Sequence, residues 1–128
     1  LEVFEKLRNM TTLLIDDDEW IRDSLCIFFN AKGCLLDAVE TAEEGVRALR
    51  NRFYDILIVD YCLPGMDGLE FLIRIRDSHP DTLKLMISAY GSHDIFTQAT
   101  EAGVDYIIEK PFDISKIRVS LGQMIETP

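Results

Sequence analysis

Four short apolar runs punctuate the chain: LLI at 13–15, ILIV at 56–59, LKLMI at 83–87 and VDYII at 104–108. Each is continuous rather than alternating, the pattern of a strand covered on both faces, which suits a mainly parallel sheet flanked by helices. A weaker run, CLLDAV at 34–39, supplies a fifth strand. Between the runs the period changes to that of a helix. Ile21, Leu25, Phe28 and Phe29 fall at i, i+4, i+7 and i+8, while Ala42, Val46 and Leu49 repeat at i, i+4 and i+7 behind a Thr41–Glu44 capping box. Ile95, Ala99 and Ala102 form a stripe closed by Gly103; Ile114, Ile117, Leu121 and Ile125 form another behind a candidate N-cap, Asp113. The remaining helix begins after Pro64-Gly65 and runs through Leu69, Leu72 and Ile73 to the stop signal His79-Pro80.

Five βα units in succession, wound with right-handed crossovers, predict an α/β doubly wound three-layer sandwich with parallel strand order 2-1-3-4-5. At 128 residues the chain holds one core and hence one domain. The folded unit is expected over 11–126, with 127–128 as a tail. Residues 1–10 stand outside the five units and read as an extension, a linker or a cloning remnant; Val3, Phe4 and Leu7 give them an apolar side.

Composition narrows the function. No apolar run approaches the roughly 20 residues that cross a bilayer, so no membrane span is expected. The opening LEVFEKLRNM mixes acids and bases, unlike a signal peptide, so the cytoplasm is the expected location. Cys26, Cys34 and Cys62 form no C-x-x-C pair and no zinc pattern with His79 or His93. They read as reduced thiols, buried or half-buried, and the two histidines as loop residues without chemical roles. A net charge of −10 and a pI near 4.5 would repel a phosphate backbone, which argues against direct nucleic-acid binding.

The polar residues at strand ends change the picture most. In a doubly wound sheet ligands bind beyond the carboxyl ends of the strands, where the strand order reverses, here between strands 1 and 3. Strand 1 ends in Asp16-Asp17-Asp18, strand 3 in Asp60, strand 4 in Ser88, and strand 5 leads into Lys110-Pro111. An isolated Asp-Asp-Asp after a strand is ordinarily a helix cap, and Lys110 or Ser88 alone would be an ordinary surface group. Together they are a chemical set. Carboxylates from strands 1 and 3 would repel by roughly 4 kcal/mol per pair at about 4 Å, so a cation is expected among them. Mg²⁺ fits, with Mn²⁺ as a substitute, because it takes a few carboxylate oxygens and leaves room for a phosphate oxygen. Asp60 is the natural nucleophile toward a phosphoryl donor, Lys110 supplies an ammonium, and Ser88 offers a hydroxyl.

Asp16-Asp17, Asp60 followed by Leu63-Pro64-Gly65-Met66-Asp67-Gly68, Ser88-Ala89 and Lys110-Pro111-Phe112 together resemble the motifs of the response regulator receiver family, in that family's order, over about 11–126. The resemblance implies a flavodoxin-like fold and phosphorylation of Asp60 by a sensor histidine kinase or a histidine phosphotransfer protein. It implies Mg²⁺ held by Asp17, Asp60 and the Cys62 backbone carbonyl, with Asp16 acting through a metal-bound water. Ser88 and Tyr106 would be the switch pair, Lys110-Pro111 a cis peptide, and Ala89, Tyr90 and Cys62 modulators of phosphoryl lifetime, Tyr90 by shielding the group from water. It further implies output or homodimer contacts through helix 4, strand 5 and helix 5 of the five units; Ile95 and Phe96 read either as core or, where one lies on the outer face of helix 4, as part of that surface. A chain of this kind catalyses its own phosphorylation and slow dephosphorylation without turning over an external substrate; either an output domain follows beyond Pro128 or the receiver acts as a stand-alone protein. Residues 88–92, SAYGS, resemble receivers joined to transcriptional activators.

Three rivals carry less. An aspartate-nucleophile phosphohydrolase of the haloacid dehalogenase type needs D-x-D-x-T or V, and here Trp20 follows the acids. A flavin module would need glycine and free amides where three aspartates stand. An unphosphorylated receiver-like interaction module would lack one of the acids or the lysine, and all are present.

Overall fold

The computed structural model describes residues 3–89 and 93–126. Eleven elements follow in the order α1 (Val3–Leu7), β1 (Thr11–Ile15), α2 (Glu19–Ala31), β2 (Leu35–Val39), α3 (Ala42–Asn51), β3 (Ile56–Asp60), α4 (Gly68–Ile75), β4 (Leu83–Ser88), α5 (His93–Glu101), β5 (Tyr106–Glu109) and α6 (Ile114–Glu126). The five strands are parallel in the order β2-β1-β3-β4-β5, as the run of βα units predicts. With α1 counted, the surface formed by helix 4, strand 5 and helix 5 of the βα units is α5, β5 and α6.

Two cores lie on the two faces of the sheet. Leu14, Ile56, Ile58, Leu85 and Ile87 meet α2 and α6 on one side; Leu13, Ile15, Leu57, Val59 and Met86 meet Phe71, Leu72 and Ala99 on the other. The β3 run is buried throughout, which its unbroken apolar sequence requires. β2 lies at the sheet edge and is only half covered.

Several boundaries depart from the sequence pattern. Ile73 is half exposed, because α4 turns Leu69, Phe71, Leu72 and Ile75 to the core. β5 opens at Tyr106, since the Val104 amide is taken by the Ala99 carbonyl in closing α5. His93 is not a loop residue: it is the first residue of α5. Thr41 caps α3 through Oγ1, but Glu44 Oε2 accepts from the Glu40 amide, one residue upstream of the box position. Cys34 is buried and Cys26 half-buried as expected; Cys62 is exposed.

The opening residues are packed against the body. Val3, Phe4 and Leu7 are buried in the core under α2 and α6, and the Phe4 ring stands edge-on to Phe28 at 5.4 Å. Lys32 lies over the Phe4 ring, and Arg8 Nε donates to the Lys32 carbonyl at 2.9 Å, closing the end of α2. Among the described residues no helix is long and apolar enough to cross a membrane.

Candidate functional site

The parallel register brings the polar strand ends to one edge. Asp16 follows β1, Asp60 closes β3 opposite Ile87, and Ser88 closes β4 opposite Glu109. Asp16, Asp60 and Ser88 are buried, and ligand oxygens of Asp16, Asp17 and Asp60 lie within 4.8 Å of one another. Asp18 stands apart from this group. It caps α2, its Oδ1 accepting from the Trp20 amide at 2.9 Å and the Ile21 amide at 3.3 Å. The aspartate triplet therefore divides its labour, one residue serving the helix and two facing the site.

Lys110 Nζ stands 3.3 Å from Asp60 Oδ2 and donates to it. The Lys110 amide donates to the Ser88 carbonyl at 2.9 Å, and the Lys110-Pro111 peptide is cis, as expected. The Tyr61 amide donates to the Ile87 carbonyl at 2.8 Å, tying the loop after β3 to β4. Gly68, the first residue of α4, packs so tightly that a Cβ there would collide with the Asp60 carbonyl. That contact brings the N-terminus of α4, capped by Asp67, against the main chain of Asp60.

Electrostatics leave the site short of positive charge. Burial pushes the Asp16 carboxyl up to about 6, the Asp18 amide opposes this, and the charge of Asp60 adds to it. Burial likewise raises Asp60, against the pull of Lys110 and of the nearby Cys62 amide. Asp16 Oδ2 and Asp60 Oδ1 are buried without a hydrogen-bond partner among the described residues. Two orphaned hard oxygens beside a third carboxylate match what a small divalent cation requires, so the residues present fit Mg²⁺ or Mn²⁺.

The other expected residues are less closely gathered. Cys62 and Ala89 are exposed at the same edge of the sheet. Tyr106 opens β5, level with Leu85, half-buried against the core under α2 and α6. Tyr90 lies outside the described residues. Phe96 is 58% exposed on α5, whereas Ile95 is half-buried.

Sequence reasoning passed over Arg22 and Glu40. Arg22 Nη1 donates to the Asp16 carbonyl at 2.9 Å, and Nη2 pairs with Glu40 Oε1 at 3.3 Å. The available signal was a lone arginine on the polar side of α2, one turn after an aspartate cap. Trp20, 75% exposed, lies with Ile21, Pro111 and Phe112 along a groove beside Lys110.

Residues 12–121 match the family described as the response regulator receiver domain. The chain is 30% identical over 112 residues to sporulation initiation phosphotransferase F of Bacillus subtilis, covering 88% of this chain and 90% of that protein. It is 32% identical over 116 residues to the transcriptional regulatory protein QseB of Haemophilus influenzae, covering 91% of this chain and 52% of that one. It spans 52% or less of the length of other curated relatives as well. Its fold superposes on the signal receiver domain of an HD domain-containing protein from Pseudomonas fluorescens with a TM-score of 0.84 at 25% identity, covering 91% of this chain and 94% of that one. Site geometry, sequence and fold agree: the chain belongs to the response regulator receiver domain family.

Proposed function

We propose that this receiver, over 11–126 with α1 docked on it, is a switch that accepts a phosphoryl group on Asp60. The observation that carries the reading is the state of the Asp60 carboxylate: buried, Oδ1 unpartnered, Oδ2 3.3 Å from Lys110 Nζ, with Asp16 and Asp17 alongside. A carboxylate oxygen of Asp60 forms a bond to phosphorus as the donor's bond to phosphorus breaks, leaving an aspartyl phosphate. Lys110 then pairs with the phosphoryl oxygens and the Ser88 hydroxyl donates to one of them. Asp17, Asp60 and the Cys62 carbonyl would hold Mg²⁺, with Asp16 acting through water. Bound there, the cation would neutralise the charge that gathers on the phosphoryl oxygens.

The donor is a sensor histidine kinase or a histidine phosphotransfer protein, and the product is a signal, with no external substrate turned over. Added charge and acceptor oxygens at Asp60 draw on Ser88 and Lys110, the ends of β4 and β5, and so bias α5, β5 and α6. Tyr106 would follow Ser88, and exposed Phe96 supplies an apolar contact for a second copy or an output domain. Ala89, Tyr90 and Cys62 would set the phosphoryl lifetime.

Intact mass after incubation with acetyl phosphate tests the reading. The native chain should gain one phosphoryl group when Mg²⁺ is present and none without it, and Asp60→Asn should gain none. An adduct of equal yield in Asp60→Asn would refute the assignment.

A further inference from the structure

Asp16 is anchored at three points. Its amide donates to the Val39 carbonyl at 3.1 Å, its Oδ1 accepts from the Asp18 amide at 2.9 Å, and its carbonyl accepts from Arg22 Nη1 at 2.9 Å. The first two anchors are main-chain groups, the Val39 carbonyl and the Asp18 amide, which almost any sequence could provide. The third is a side chain. The oxygen that it grips belongs to the peptide between Asp16 and Asp17, a rigid plane shared by both residues. Fixing that oxygen therefore fixes the main-chain frame from which both carboxylates depart.

The guanidinium is itself held. Nη2 meets Glu40 Oε1 at 3.3 Å, and the Arg22 side chain is 16% exposed. The Glu40 amide donates to Glu44 Oε2 at 3.1 Å, and the Glu44 amide donates to Thr41 Oγ1 at 3.1 Å. Polar contacts thus run from the turn after β1, through Arg22, to the cap of α3. A fixed positive charge next to a cation site would by its field alone oppose cation binding. Arg22 is thus badly placed to help through its charge and well placed to help through its bonds.

We infer that Arg22 is a positioning residue that presets Asp16 and Asp17 for a divalent cation through the Asp16 carbonyl, with Glu40 steadying the guanidinium and offsetting its charge. The inference rests on reading the acidic cluster as a cation site and adds what holds that cluster in shape.

Three possible roles give three different outcomes when the guanidinium is removed. If Arg22 acts only through its field, binding tightens. If it serves only the stability of the fold, affinity is unchanged well below the thermal midpoint. If it positions the acids, affinity falls. Mn²⁺ binding to the full chain, followed by the electron paramagnetic resonance signal of the free ion, separates them. Arg22→Met keeps the aliphatic stem and should bind about tenfold more weakly, the order of effect seen when a group that orients metal ligands is lost. Arg22→Lys, whose ammonium can still donate to the carbonyl, should bind more tightly than Arg22→Met despite restoring the charge. Equal or tighter binding by folded Arg22→Met overturns the inference; should that variant fail to fold, Arg22→Gln takes its place under the same criterion. A native chain that binds no Mn²⁺ overturns the cation reading itself, and the inference with it, before any variant is compared.

Discussion

At the amino ends of the strands, most polar groups are met by partners. Lys84, buried in β4, donates through Nζ to the His79 carbonyl at 2.8 Å and the Thr82 carbonyl at 2.9 Å, while Asp105 Oδ2 accepts from its amide. Asp55 Oδ2 accepts from the Thr11 amide at 2.8 Å. At the carboxyl ends, Asp16 Oδ2 and Asp60 Oδ1 are buried with no hydrogen-bond partner among the described residues, and three carboxylates gather where Lys110 pairs with Asp60. One sheet thus carries a floor whose polar groups are mostly satisfied within the fold and a rim whose carboxylates are not. The contrast teaches where the domain holds free energy that a ligand can release, because an unmet acceptor stabilises whatever state supplies its partner.

Disturbing the floor gives the largest expected change in stability. Lys84→Ala removes the stem and strands two carbonyls, so urea unfolding should show a loss of about 3 kcal/mol. A loss below about 1 kcal/mol would mean that water replaces the ammonium without penalty.

The rim should respond with the opposite sign. The fold raises Asp16 from 3.8 to about 6, so its contribution favours the native state fully below about pH 4 and is lost as pH rises through about 6. By linkage this amounts to at most about 3 kcal/mol against folding at neutral pH. Asp16→Asn keeps an acceptor for the Asp18 amide and removes the charge. Without metal at pH 7.5 it should be more stable than the native chain, and its stability should vary less between pH 4 and 6.5. Mg²⁺ should raise the melting temperature of the native protein far more than that of the variant. A native chain insensitive to Mg²⁺ would erase the distinction between floor and rim.

The smallest effect belongs to an unmet hydroxyl at the amino end. Thr12, level with Ile56 and Leu83, has its Oγ1 buried with no partner among the described residues and belongs to no acidic group. Thr12→Val should gain about 1 kcal/mol in the same assay without changing Mg²⁺ affinity.

How legible these features were depends on how far along the chain their partners stand. The stripe Ile21, Leu25, Phe29 and the buried run Ile56–Asp60 carry their period locally, so strands, helices and sheet order could be read directly. Asp16, Asp60, Ser88 and Lys110 could be read too, because each ends a strand and parallel winding brings strand ends to one edge. Arg22 with Glu40 could not, since the pair joins residues 18 apart across two turns and no period marks it. Nor could α1, whose five residues are too few to display a helical repeat. The exposure of Ile73 escaped for a related reason: neighbouring apolar residues made two faces of α4 plausible, and only packing chose Leu69, Leu72 and Ile75.

The docking of α1 has a practical meaning for anyone joining this receiver to other sequences. The family match spans 12–121 and excludes both Val3–Leu7 and the last turn of α6, where Met124 and Ile125 lie. A chimera spliced at those borders would uncover Phe28, together with much of the apolar seam between α2 and α6. Hybrids made that way should clump during expression, whereas grafts taken from Val3 to Glu126 should stay dispersed.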